Sequence, residues 1–155
     1  MSELHHLDGR IADYDRRIVE MARQDDRAQH LMRLRGVGAT TASAIVAEVG
    51  NGHDFRCGRE FAAWLGLVPG QYSSGGKTRL GRITKAGNPY LRTLLVMGAK
   101  AVLSCAARKT DPVSRWAISL QQRRGHFKAI VAIAAKNARM AWAVLRKGED
   151  FVLPT

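Results

Sequence analysis

The chain has 155 residues, a formal net charge of +12 and an isoelectric point near 10.7. That length suits one domain with a hydrophobic core plus an appendage and excludes two large domains. The positive field favours a polyanion as partner, nucleic acid first, with a basic amphipathic membrane binder as the rival. No apolar run approaches a bilayer span and no signal-peptide pattern opens the chain, so we read a soluble, cytoplasmic protein with no membrane partner.

From the N-terminus, Leu4, Leu7, Ile11, Tyr14, Ile18, Met21, Asp25, Ala28 and Met32 fall at alternating three- and four-residue steps, with mixed charges such as Asp13, Arg16, Arg17 and Glu20 between them. This heptad seam predicts a long coiled-coil-like helix over residues 1–34 that joins copies into a homodimer or higher oligomer. Gly9 and Asp25 weaken the seam, which leaves open a single amphipathic helix folded back on its own domain.

A compact helical domain is predicted over residues 31–151. It opens with a helical pair over 31–50: one helix ends near Arg35, Gly36 and Gly38 allow a tight turn, and a second helix starts with Thr40 or Thr41 in capping range and stops at Gly50. The pattern resembles a helix-hairpin-helix, in which a glycine turn and a helix N-terminus offer backbone N–H groups to a DNA phosphate. Gly36 and Gly38 are therefore candidate nucleic-acid-binding positions, and a plain helical hairpin is the alternative.

His53, Asp54 and Cys57 lie close together but lack the four ligands of a structural zinc site, so no metal site is predicted. Cys57 and Cys105 have no paired spacing and read as buried free thiols. Arg59 to Leu65 reads as a short helix with Phe61, Trp64 and Leu65 as its buried face. Residues 69–88 then carry five glycines, the adjacent serines Ser73 and Ser74, and Lys77, Arg79, Arg82 and Lys85. So many glycines suit a loop whose backbone approaches something closely, and without nucleic acid and a partner domain such a loop is expected to be poorly ordered.

Asn88 is placed to cap a helix with Pro89 in its first turn, and Leu91, Leu94, Leu95, Gly98, Ala101, Val102 and Cys105 form its inner stripe up to about Lys109. No Asp or Glu occurs between Phe61 and Thr110, although Lys77, Arg79, Arg82, Lys85, Arg92, Lys100, Arg108 and Lys109 all do. A solvated face mixes both signs, so this segregation points to a bound polyanion. Asp111-Pro112 breaks the chain before a helix over Val113 to Arg123 with Trp116 and Leu120 inward. Gly125 turns it into a last helix with Ile130, Ile133, Ala134, Asn137, Ala141, Val144 and Leu145 inward, closed near Gly148, and residues 151–155 form a tail. No alternating strand pattern appears, so the predicted class is all-α.

A serine hydroxyl needs a base or a strongly electropositive setting to attack a phosphodiester, and guanidinium groups match the charge that builds on phosphate. Ser73 or Ser74 with Lys77, Arg79, Arg82, Lys85 and Arg92 thus supports a phosphoryl-transfer loop. From residue types alone, a basic loop that holds phosphates without chemistry is the favoured reading of the two. The spacing is not that of a Walker-type loop.

The Arg35-Gly36-Val37-Gly38 turn, Phe61 to Pro69, Ser73-Ser74-Gly75-Gly76-Lys77 and Ile83 to Asn88 leading into Leu91-Arg92 stand in an order that resembles the C-terminal domain of the one-ten family of insertion-sequence transposases, associated with bridge-RNA-guided recombination. The resemblance covers about four-fifths of the chain. It implies a serine that attacks DNA to form a phosphoserine intermediate, with DNA and a structured guide RNA as partners. The role is carried to Ser74, directly before Gly75, with Ser73 as runner-up. The cations keep the phosphate-binding role given on physical grounds. The family also has an N-terminal nuclease-like domain whose four carboxylates bind divalent metal. Here Asp8, Asp13, Asp15, Glu20, Asp25 and Asp26 lie on a predicted helix instead of strands. The chain therefore reads as a fragment or truncated copy with no cofactor of its own, able to bind nucleic acid but inactive alone.

Overall fold

Helix α1 spans Ser2–Gln24 in the computed structural model of the chain, which describes residues 2–152; the end of the expected tail lies outside the described residues. The seam residues Leu4, Leu7, Ile11, Tyr14 and Met21 are exposed, and Ala22 near the C-terminal end is the buried residue of the helix. Ile18 is half-buried, so α1 packs on α3 through its C-terminal part, while the earlier part of its apolar stripe faces solvent. Asp25 ends it. Its backbone is extended, and its carboxylate accepts from the N–H groups of Arg27 (2.8 Å) and Ala28 (3.4 Å), capping α2 (Asp26–Met32).

A turn over residues 33–38 leads into α3 (Ala39–Val49), whose N-cap is Gly38 with no side-chain cap. Thr40 and Thr41 lie inside the helix, two and three residues past its N-cap, and Thr41 is buried. Helix α4 (Gly58–Trp64) follows a polar loop. Phe61 and Leu65 are fully buried as expected, but Trp64 remains partly exposed at 36 %, its ring packed on Phe55 at 5.4 Å and Phe61 at 6.0 Å. The expected burial of the thiols is corrected as well: Cys57 is exposed and Cys105 half-buried. Cys57 precedes α4 in an extended N-cap position, which turns it outward.

Residues 69–83 depart from the all-α expectation. They form β1 (Pro69–Ser74) and β2 (Lys77–Ile83), an antiparallel pair joined through Gly75 and Gly76. Both glycines take positive φ, +58° and +77°, the requirement of a tight two-residue hairpin turn. The architecture is therefore mostly helical with one two-stranded ribbon. The period-2 signature is missing because nearly every residue of the ribbon is exposed on both faces.

Helix α5 (Pro89–Ala106) starts as expected: the Asn88 side chain accepts from the N–H groups of Tyr90 (3.0 Å) and Leu91 (3.1 Å). Asp111 caps α6 (Pro112–Arg124), and α7 (His126–Lys147) ends on left-handed Gly148. The core gathers Leu31, Ile45, Phe61, Leu65, Leu91, Leu95, Ile133 and Val144. Helix α7 packs against α4, α5 and α6. Its buried Ala129, Ala134, Ala138 and Ala141 permit close approach.

Candidate nucleic-acid interface

The ribbon grows out of a closed neck. Leu65-Gly66 and Ala86-Gly87 are pressed together so closely that a Cβ on Gly87 would meet the Trp64 carbonyl at 1.7 Å and one on Gly66 the Ala86 carbonyl at 2.4 Å. Across this neck the Lys85 N–H donates to the Gly66 carbonyl (3.1 Å) and the Thr84 N–H to the Val68 carbonyl (3.0 Å). Arg92, on α5, donates to the carbonyls of Leu65 (3.2 Å) and Ala86 (3.0 Å). The side chain assigned from sequence to phosphate binding is half-buried and ties the ribbon to the helical body. The segment expected to be a glycine-rich loop is a hairpin with a bonded base.

The register decides which side chains share a face. Ser74 pairs with Lys77, Ser73 with Thr78, Tyr72 with Arg79 and Gln71 with Leu80. Directly opposed residues of an antiparallel pair lie on the same side, and neighbours along a strand alternate. One face therefore carries Ser74, Lys77, Tyr72 and Arg79, and the other carries Ser73, Thr78, Gln71 and Leu80; a register shift between Pro69 and Gln71 interrupts the alternation before Arg82. The two candidate serines point in opposite directions, and Ser74 is the one with two cations on its face. Both serines, Lys77, Arg79, Arg82 and Lys85 are exposed. Tyr72, 71 % exposed, lies across Gly81, where a Cβ would meet its ring at 2.7 Å. Sequence reasoning did not single out Tyr72; an aromatic two residues before Ser74 becomes a site neighbour only once the segment is known to be a strand.

The glycine turn between α2 and α3 is built differently from its two glycines. Gly36, at φ +81°, is pressed on α5, and a Cβ there would meet the Gly98 carbonyl at 2.7 Å. Gly38 faces open space. The buried Asn137 of α7 donates its amide to the Arg35 carbonyl (2.8 Å), and the Arg35 guanidinium reaches Asp111 (3.0 Å) and Ser114 (3.3 Å). The Ser114 hydroxyl donates to Asp111 (3.2 Å), and that bond, helped by the Arg35 charge, holds the Asp111 carboxyl below its ordinary range. Asn137 was legible in sequence as a stripe position. Its amide, a polar group inside an apolar stripe, was the available sign that it holds a backbone.

The acids of α1 do not converge: no group of three or more His, Cys, Asp or Glu side chains comes together among the described residues. The His53 ring instead meets the Arg146 guanidinium. No helix of the described residues is long and apolar enough to cross a membrane.

A family model described as transposase IS116/IS110/IS902 family matches residues 28–114. The chain is 52 % identical over 145 residues to a probable family 20 transposase of Pseudomonas aeruginosa, covering 94 % of this chain and 43 % of the relative. It is 42 % identical over 150 residues to the transposase for insertion sequence element IS1111A of Coxiella burnetii, covering 97 % and 41 %. It is 35 % identical over 147 residues to the transposase for insertion sequence element IS1328 of Yersinia enterocolitica, covering 94 % and 44 %. The chain thus spans about two-fifths of the length of these relatives.

Proposed function

Because the chain belongs to the transposase IS116/IS110/IS902 family, we propose that it forms the serine-bearing part of a DNA transposase, with Ser74 attacking a phosphodiester. The observation that carries this reading is the shared face of Ser74, Lys77 and Arg79 at the turn end of an exposed ribbon. In the step, the Ser74 oxygen forms a bond to phosphorus and the bond from phosphorus to a deoxyribose oxygen breaks. The serine proton leaves to solvent, and the departing oxygen takes one up. The phosphoserine conserves the phosphoester, so a second strand reverses the step without an external energy source. Lys77 and Arg79 stabilise the added negative charge where it develops, while Arg82 and Lys85 hold flanking phosphates.

The open Gly38 and the uncapped start of α3 support a helix-hairpin-helix reading, with a backbone phosphate held without sequence readout. The exposed α1 seam suits pairing with a second copy, and a structured guide RNA adds a second polyanion for the basic surface. Among the described residues no cluster of His, Cys, Asp or Glu fits a divalent-metal site. In this reading the metal belongs to a nuclease-like domain outside this stretch, and the stretch alone does not recombine DNA.

The test is Ser74→Ala in the complete transposase that carries these residues. We expect DNA binding within about twofold of the parent, with the covalent protein–DNA adduct and strand exchange lost by roughly a thousandfold or more, as for removal of a nucleophile. Undiminished strand exchange overturns the catalytic reading in favour of a phosphate-holding module. Loss confined to Ser73→Ala moves the nucleophile to the other face.

A further inference from the structure

The corner between α6 and α7 carries a surface that the serine chemistry leaves unused. Phe127 is 82 % exposed, more than any other large hydrophobic side chain of the helical body. Arg123, Arg124, His126 and Lys128 surround it in sequence and are all exposed. His126 meets the phenyl ring edge-on at 5.5 Å and is itself bonded to Gln121 at 3.2 Å, which holds the ring's neighbour in place. The ion pairs of the described residues engage none of Arg123, Arg124 and Lys128. The sequence from Pro112 to Gly148 holds no Asp or Glu at all, while Arg115, Arg123, Arg124, Lys128, Lys136, Arg139, Arg146 and Lys147 occur there.

A ring in this setting is a poor centre for a protein interface, whose buried core is depleted of charge. It suits a polyanion that also offers flat apolar faces. In a duplex those faces are stacked inside, so an outward ring reaches only an unpaired base, while the cations beside it take the flanking phosphates. Resting on the reading of the chain as part of a DNA transposase, we infer that the α6–α7 corner is a second nucleic-acid site, distinct from the ribbon, at which Phe127 stacks on an unpaired base of single-stranded DNA and Arg123, Arg124 and Lys128 hold its backbone. Strand exchange on DNA exposes such segments, which gives the site its occupant.

The test uses the whole 155-residue chain titrated with oligothymidylate, with a dA·dT duplex and with oligouridylate. Phe127→Ala should weaken oligothymidylate binding roughly tenfold, the range of one lost base stack, and leave duplex affinity unchanged. Phe127→Tyr should restore it. Arg123→Gln with Arg124→Gln should lower the salt slope on oligothymidylate by roughly 0.7 per cation removed. Unchanged oligothymidylate affinity in Phe127→Ala overturns the proposal. So does an equal loss on the duplex, a loss confined to oligouridylate, or loss of self-association in sedimentation, which would make the corner a protein interface. Duplex binding that still depends on Lys77 and Arg79 while Phe127→Ala changes nothing sinks this site alone. Absence of DNA binding by the unaltered chain sinks the transposase reading with it.

Discussion

Lys85 is the non-glycine residue that takes a positive φ, +55°, among the described residues. A lysine has no conformational reason to be there, since the left-handed region brings its Cβ against the following carbonyl. The neck of the ribbon imposes the angle: the Lys85 N–H must meet the Gly66 carbonyl while Gly87 turns under Trp64. Strain of this kind gathers where a side chain is wanted for function. Lys85→Gly should therefore raise stability by about 1 kcal/mol, the order of the relieved left-handed penalty, while weakening duplex DNA binding. Urea unfolding and a salt-titrated mobility shift read the two effects separately. A drop in stability would show that the lysine side chain supports the neck. The paired serines give the complementary lesson at this scale: both were legible as candidates from residue type and neighbours, but their separation onto opposite faces depends on a backbone pairing that neither residue announces.

At the scale of elements, the ribbon depends on its turn. Gly75 and Gly76 face open space, so nothing but their positive φ values restricts what replaces them. Gly75→Asn should leave the hairpin intact, because asparagine tolerates the left-handed region and Asn-Gly is a favoured hairpin turn. Gly75→Val should cost roughly 1–2 kcal/mol of local stability and dissolve the Ser74–Lys77 pairing. Cross-strand nuclear Overhauser contacts between Tyr72 and Arg79 would report it, and their survival in the valine variant would show that the neck alone holds the register. The helices were legible because their caps and periods are local: Asn88-Pro89, Asp111-Pro112, Gly125 and Gly148 each mark a boundary that forms. The ribbon was not, because both its faces are wet and alternation appears only when one face is buried. Gly75-Gly76 between Ser74 and Lys77 was its available signal, and the richness in glycine masked it as a loop. The Thr40 and Thr41 cap failed for a related reason. The turn is closed by α5 against Gly36 and by Asn137 on the Arg35 carbonyl, contacts far away in sequence, so α3 begins without a side-chain cap.

Across the whole molecule, acids and bases are sorted. From Phe61 to Gly148 the one acid is Asp111, and it faces inward to Arg35 and Ser114, which leaves the outer surface of that stretch to cations. Two other anchoring carboxylates sit at the margins: Asp25 caps α2 with Arg27 bonded to it, and Asp150 joins the C-terminal segment to His30 and Arg33 on the α2 side. All three carboxyls are held below their ordinary range, Asp25 chiefly by the Arg27 side chain, Asp111 by the Ser114 hydroxyl and Asp150 by the His30 ring. A carboxyl whose folded value is depressed adds stability that is present above its unfolded value, about 3.9, and is lost as pH falls through the folded one. Unfolding free energy should thus vary little through these groups between about pH 5 and 7 and decline below about pH 4. Asp111→Asn isolates one contribution, because asparagine keeps the N-cap of α6 and loses the charge opposite Arg35. We expect it to be less stable than the parent by on the order of 0.5–1 kcal/mol near neutrality, the range of a partly exposed pair, with the two stability curves converging in acid as Asp111 protonates. An offset that stays constant down to the acid limb would place the effect in packing around Ser114 instead of in the ion pair that ties α6 to the glycine turn.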